Sequence, residues 1–191
     1  MPTKVKQNTS YGYGWNITRR CNLGKKEPFV KHHLDKYGKL PIWVAIEIWD
    51  FGLMSKLYAG MKLVDQKPIA SKYGATGKQF KSWLRSLNLI RNIVAHHSRL
   101  WNINILERTP LLSGPDWQKL NNARPFYYFC LMKKLLDAIC PNSTWGNRLI
   151  ELTDRFPGIR CNAVALKDFG ALENWKERSL WEKRKPAHTH D

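Results

Sequence analysis

The sequence predicts an all-α helical bundle, and three observations carry that expectation. Apolar residues recur at helical spacing in several segments, no segment sustains strand alternation, and Gly and Pro fall between the periodic runs. The 191 residues are enough for one substantial core. A hydrophobic content of 43% with nine tryptophans indicates a packed protein rather than a disordered one. A polar leader over residues 1–28, expected to be partly disordered, precedes a helical domain over residues 29–182. A basic, flexible tail follows over residues 183–191.

The elements follow in order. Phe29 to Tyr37 reads as a short helix closed by Gly38. Pro41 suits a first helical position, and the apolar run to Trp49 follows it. Gly52 breaks or kinks this run, and a second piece continues through Leu57 and Met61. Both pieces are apolar on most sides, which predicts central packing helices. Pro68 to Tyr73 adds a turn or two, stopped by Gly74. Phe80 to Asn102 lacks proline and is bounded by Gly74, Gly77 and Pro110, so it is expected to be the longest or central helix. Pro110 to Pro115 reads as a loop. Helical segments then cover Trp117 to about Asn121, Phe126 to Ile139 and Thr144 to Phe156. Pro141 and Pro157 end the last two, and Asn142 or Ser143 caps the final one.

On the long helix, Phe80, Trp83, Leu87, Ile90, Val94 and Trp101 fall on one face, the expected core stripe. Leu89, Ile93 and Leu100 make a second, narrower apolar stripe. Between them run Arg85, Asn88, Asn92, His96 and Arg99, spaced by three or four residues and so stacked along one line. Arg91 sits off that line and must reach round to approach His96. An unpaired buried polar group costs on the order of 1–3 kcal/mol, so a polar seam between apolar stripes predicts a cleft, a subunit interface or a ligand groove. Trp43, Trp49, Trp83 and Trp101 are read as core rather than as base-stacking platforms. His97 is read as packed and hydrogen-bonded rather than catalytic. Glu47 lies in the apolar run Ile42 to Phe51, where a lone charge is costly, and is expected to pair with Arg91 or Arg85 and orient it.

Thirty-two Lys and Arg against fifteen Asp and Glu give a net charge of +17, which favours a polyanionic partner. There is no basic amphipathic anchor, no apolar run of about 18 residues and no apolar signal segment at the start, so no membrane association and a cytoplasmic location are expected. Cys21, Cys130, Cys140 and Cys161 show no CxxC spacing and read as free thiols. The adjacent pairs His32-His33 and His96-His97 would point about 100° apart on a helix, so no metal site and no cofactor are expected.

The string Arg91-Asn92-Ile93-Val94-Ala95-His96-His97-Ser98-Arg99-Leu100-Trp101-Asn102 resembles the core motif of abortive-infection proteins of the AbiD/AbiF group, within the HEPN superfamily. Flanking blocks match as well: Leu40-Pro41-Ile42-Trp43-Val44-Ala45-Ile46-Glu47, Phe51-Gly52-Leu53-Met54-Ser55-Lys56-Leu57-Tyr58, Ser82-Trp83-Leu84-Arg85-Ser86-Leu87, Phe169-Gly170, and Asn174-Trp175 through Leu180-Trp181. The resemblance spans Phe29 to Trp181. It implies a HEPN-like helical bundle and a homodimer that sets two motifs face to face. It also implies a phage-defence role of toxin–antitoxin type, with a neutralising RNA or protein partner. The helical segment that such proteins carry before the position of Phe29 is expected to be missing here.

RNA carries its own nucleophile, the 2′-hydroxyl. Cleavage needs a base, an acid for the leaving 5′-oxygen, and positive charge on the phosphorane. His96 can serve as base or acid, Arg91 can grip non-bridging oxygens with its planar fork, and Asn92, one turn before His96, can fix orientation. Arg85, Asn88 and Arg99 would extend the phosphate-binding line. The expected activity is metal-independent endoribonuclease. The alternatives are a non-catalytic RNA-binding module or a truncated inactive member using the same groove. A helix-turn-helix DNA binder fits less well, because the motif helix lacks an exposed set of base-reading side chains.

Overall fold

The computed structural model describes residues 27–156 and 164–182. Among these there are eight α-helices, three short 3-10 turns and no strand, the all-α architecture that periodicity predicts. The leader, the tail, Cys21 and Cys161 lie almost entirely or wholly outside the described residues. The chain divides into two compact units, residues 1–60 and 61–191.

In the first unit, α1 spans Pro28–Tyr37, with Pro28 at its first position and Gly38 closing it at φ 68°. α2 spans Ile42–Glu47 and α3 spans Phe51–Gly60. The break between them lies at Ile48–Asp50 rather than at Gly52. The cause is a side chain: Asp50 Oδ1 accepts from the Leu53 N–H at 2.7 Å and its carbonyl from the Met54 N–H, so Asp50 starts a new helix and Gly52 sits inside its first turn. The expectation of two central packing helices is corrected. Val44, Ala45, Ser55 and Tyr58 are buried, but Ile42, Trp43, Ile46, Phe51, Met54 and Leu57 are exposed. Once Asp50 divides the run, each short helix turns only one side inward, which is less than its apolar content. Trp43, expected in the core, is 69% exposed, and Trp49 is half-buried.

In the second unit, α4 (Leu63–Ser71) carries Pro68 in its interior, where the sequence alone suggests a helix start. Gly74, at φ 63°, turns the chain into α5 (Gly77–Ala95), the longest described helix. α4 and α6 (Pro125–Ile139) both pack on α5. α7 spans Trp145–Asp154 and α8 spans Leu166–Phe169. Phe80, Trp83, Leu87 and Ile90 face inward as predicted, joined by Ser86. An aromatic cluster completes the core. Phe126 lies 5.1 Å from the Trp175 ring, Trp175 meets Trp181 edge-on at 4.8 Å, and Phe169 lies 5.0 Å from Phe129.

The segment from Ser98 to Arg124 is far longer as a loop than Pro110 to Pro115 alone, and it is held by named contacts. Tyr127 Oη donates to the Pro110 carbonyl at 3.0 Å and accepts from the Leu112 N–H at 3.1 Å. Tyr128 Oη donates to the Asn122 carbonyl at 2.8 Å, and Asn122 Nδ2 donates to the Thr109 carbonyl at 2.7 Å. The helix expected from Trp117 to Asn121 is a single 3-10 turn, Pro115–Trp117, because Gln118 is extended and Lys119 takes φ 62°. Ser143 Oγ accepts from the Trp145 N–H at 3.3 Å, but the N-cap of α7 is Thr144, one residue beyond the cap expected at Asn142 or Ser143, and its side chain makes no capping bond.

Candidate active site

α5 positions the predicted motif, and both of its ends are closed by side-chain or main-chain bonds. At the start Thr76 and Gln79 form a reciprocal capping box: the Gln79 N–H reaches Thr76 Oγ1 at 3.2 Å and the Thr76 N–H reaches Gln79 Oε1 at 2.9 Å. At the end the helix stops at Ala95, seven residues before the expected Asn102. The His97 N–H bonds the Val94 carbonyl and the Ser98 N–H bonds the Ile93 carbonyl, each at 3.0 Å, while His97 takes φ 53°. This is a Schellman closure with histidine where glycine is usual. His97 is therefore exposed and ends the helix, in place of the packed core role expected for it.

The seam divides accordingly. Arg85, Asn88 and Asn92 lie on α5, and His96 is the residue that caps it, its N–H on the Asn92 carbonyl at 3.1 Å. Arg99 lies beyond the left-handed turn, off the line that a continued helix would have given it. Arg91, His96 and Arg99 are exposed, and Asn88 and Asn92 are half-buried. Val94 is 53% exposed, so the core stripe ends at Ile90. Trp101 still joins the core without the helix: its ring stacks between Phe156 at 4.9 Å and Phe169 at 5.1 Å.

Two polar contacts tie the seam together. Arg91 Nη1 donates to Asn92 Oδ1 at 3.0 Å, which turns the guanidinium toward the Asn92 side of the helix. Arg85 makes a two-pronged ion pair, Nε to Glu107 Oε2 and Nη2 to Glu107 Oε1, both at 2.8 Å. This contact holds the Glu107 carboxyl below its usual range and the Arg85 guanidinium above its own. Arg85, offered as a possible partner for Glu47, is thus engaged by Glu107. Glu47 itself is exposed at the last position of α2. Glu107 was not anticipated from the sequence.

A polar cavity of about 590 Å³ opens elsewhere in the second unit, beside Lys72, Lys134 and Glu182, and includes none of the predicted site residues. Among the described residues, no three His, Cys, Asp or Glu side chains gather as a metal set. No helix among them is long and apolar enough to cross a membrane. Around the end of α5, His96, His97, Arg91 and Arg99 are exposed and the amides of Asn88 and Asn92 are half-buried, a set of groups suited to an anionic ligand.

The sequence model of the Abi-like protein family matches residues 3–102. The chain belongs to the Abi-like protein family. The match takes in the leader, which lies outside the Phe29 to Trp181 span of the sequence resemblance, and reaches Asn102, just past the motif. No match was found among curated proteins or among solved structures. Family membership connects this Abi-like protein to abortive infection.

Proposed function

We propose that this Abi-like protein is a metal-independent endoribonuclease of the AbiD/AbiF group and of HEPN type, acting as a homodimer. The observation that carries the reading is the motif at the solvent-exposed end of α5, where Arg91 is drawn against Asn92 and His96 caps the helix one turn on. Family membership and the +17 charge support it.

In this reading Arg91 grips non-bridging oxygens of the scissile phosphate, and Asn88 and Arg99 contact its neighbours. His96 of one protomer takes the 2′-hydroxyl proton, and the 2′-oxygen attacks phosphorus. The bond from phosphorus to the 5′-oxygen then breaks as the partner subunit's His96 delivers a proton to that oxygen. The products are a 2′,3′-cyclic phosphate and a 5′-hydroxyl. A neutralising RNA or protein partner restrains the activity.

The test is RNA cleavage by the purified chain with end-group analysis of the products. Cyclic-phosphate ends formed in the presence of EDTA support the mechanism. A metal requirement, or full activity in His96→Ala, overturns it. RNA binding without cleavage in the wild-type protein would favour the non-catalytic binding module.

A further inference from the structure

Positions 66–115 carry eight Lys and Arg and a single carboxylate, Glu107. That one carboxylate lies on the guanidinium of Arg85, two turns before Asn92 on the helix that bears the motif. Two different bonds hold Glu107 in place, and they have separable roles. Its main-chain carbonyl accepts from Ser86 Oγ at 2.5 Å, and Ser86 is buried, so the backbone of the loop is fixed to α5 without help from the side chain. The carboxylate is then left to occupy the Nε–Nη2 fork of Arg85, whose side chain is 71% exposed. A carboxylate on the Arg fork takes the same hydrogen bonds that a phosphate would take.

Resting on the ribonuclease reading above, we propose that Glu107 is a specificity-determining residue that masks Arg85 from RNA, so that the phosphate track begins at Asn88 and is confined to the His96 end of α5. RNA phosphates then meet Arg91 and Arg99 but not Arg85. The masking shortens the non-specific contact and keeps the strand in register with the imidazole. The structural role of the loop does not depend on it, because Ser86 anchors the loop through the Glu107 carbonyl.

The experiment measures RNA binding of the full chain against salt concentration, with a single-stranded homopolymer as probe, for wild type, Glu107→Gln and Glu107→Gln combined with Arg85→Ala. Each phosphate contact on a single strand adds about 0.7 to the slope of log affinity against log salt. Glu107→Gln is expected to steepen the slope by that amount, with affinity about fivefold higher at 0.1 M salt. In the Glu107→Gln background, where the carboxylate is already neutral, Arg85→Ala should remove the gain and return the slope to the wild-type value. Melting curves that coincide with wild type show that the loop stays in place. The inference is overturned if Glu107→Gln leaves the slope unchanged, or if its gain persists after Arg85→Ala is added. Loss of cleavage with these binding differences intact would remove the ribonuclease reading and leave the masking established. Absence of binding in wild type and in Glu107→Gln alike would remove both.

Discussion

The guanidinium of Arg91 donates to Oδ1 of its neighbour Asn92 at 3.0 Å, although the two side chains leave the helix about 100° apart. The long arginine stem bends round the helix to make this contact, so the cation sits beside the line that ends at His96. Asn92 thereby acts as a neutral tether: it accepts one N–H and leaves the other donors of the guanidinium available for a phosphate.

Charge at the tether should therefore be decisive. Asn92→Asp keeps the acceptor but turns the contact into an ion pair that competes with phosphate, so RNA affinity and cleavage should both fall. Arg91→Ala and His96→Ala should each reduce cleavage by about 10²–10⁴-fold while most RNA binding persists, since the +17 charge supplies other contacts. Single-turnover cleavage and binding measured side by side separate these outcomes. Unchanged cleavage in Asn92→Asp would remove the tether role.

His97 holds a left-handed conformation that costs a non-glycine residue on the order of 1–2 kcal/mol. His97→Gly relieves that strain at some cost in chain entropy, a net stabilisation of about 0.5–1 kcal/mol. Thermal unfolding should shift upward by about 1–4 °C. His97→Val should shift it downward, because a β-branched residue resists φ of 53°. RNA cleavage should survive His97→Gly, in contrast to His96→Ala.

The core side of α5 is legible in the sequence, because burial of Phe80, Trp83, Leu87 and Ile90 is a local consequence of the 3.6-residue period. The end of the helix is not. Neither Gly nor Pro occurs between Gly77 and Pro110, and a histidine adopting the left-handed turn has no composition signal. The expected seam therefore continues through His96 but loses Arg99. The Arg85–Glu107 pair escapes a sequence reading for a different reason: its partners lie 22 residues apart and meet only because the loop folds back on α5. A hint was present in the isolation of Glu107 among basic residues. The apolar run from Ile42 misleads, since composition alone cannot tell which side of a short helix is covered.

Gly146 on α7 makes room for a buried cation. A Cβ there would lie 2.6 Å from Lys133 Cε, whose ammonium bonds both carboxylate oxygens of Asp137 at 2.7 and 2.8 Å. Gly146→Ala gains about 1 kcal/mol of helix propensity but forces a packed lysine to move, an overpacking cost of about 1–3 kcal/mol, so the net effect should be a modest loss. Asp137→Ala leaves the largely buried ammonium without its partner and should cost on the order of 3 kcal/mol. Adding Lys133→Met to Asp137→Ala should recover most of that loss in urea unfolding. No recovery would mean the ion pair is not the source.

Burial pushes the Cys130 thiol up to about 12, whereas Cys140 is exposed. The thiolate is the reactive form, so at pH 8 an alkylating reagent should modify Cys140 in the native protein and spare Cys130 until the protein unfolds. Peptide mapping by mass spectrometry before and after denaturation reads both sites. Rapid native modification of Cys130 would show that the core around Trp181 opens readily.

Each chain supplies one motif histidine, yet the proposed reaction needs a base for the 2′-hydroxyl and an acid for the 5′-oxygen in the same step. If two copies share a site, wild type mixed with His96→Ala and allowed to exchange subunits should lose activity as the square of the wild-type fraction. Equal mixing would then leave about a quarter of the starting activity, rather than the half expected of independent protomers. The same model requires specific activity to fall on dilution below the dimer dissociation constant. A linear fall on mixing, with activity independent of dilution, would show that one His96 suffices, and a second proton donor would then have to be sought within the same chain.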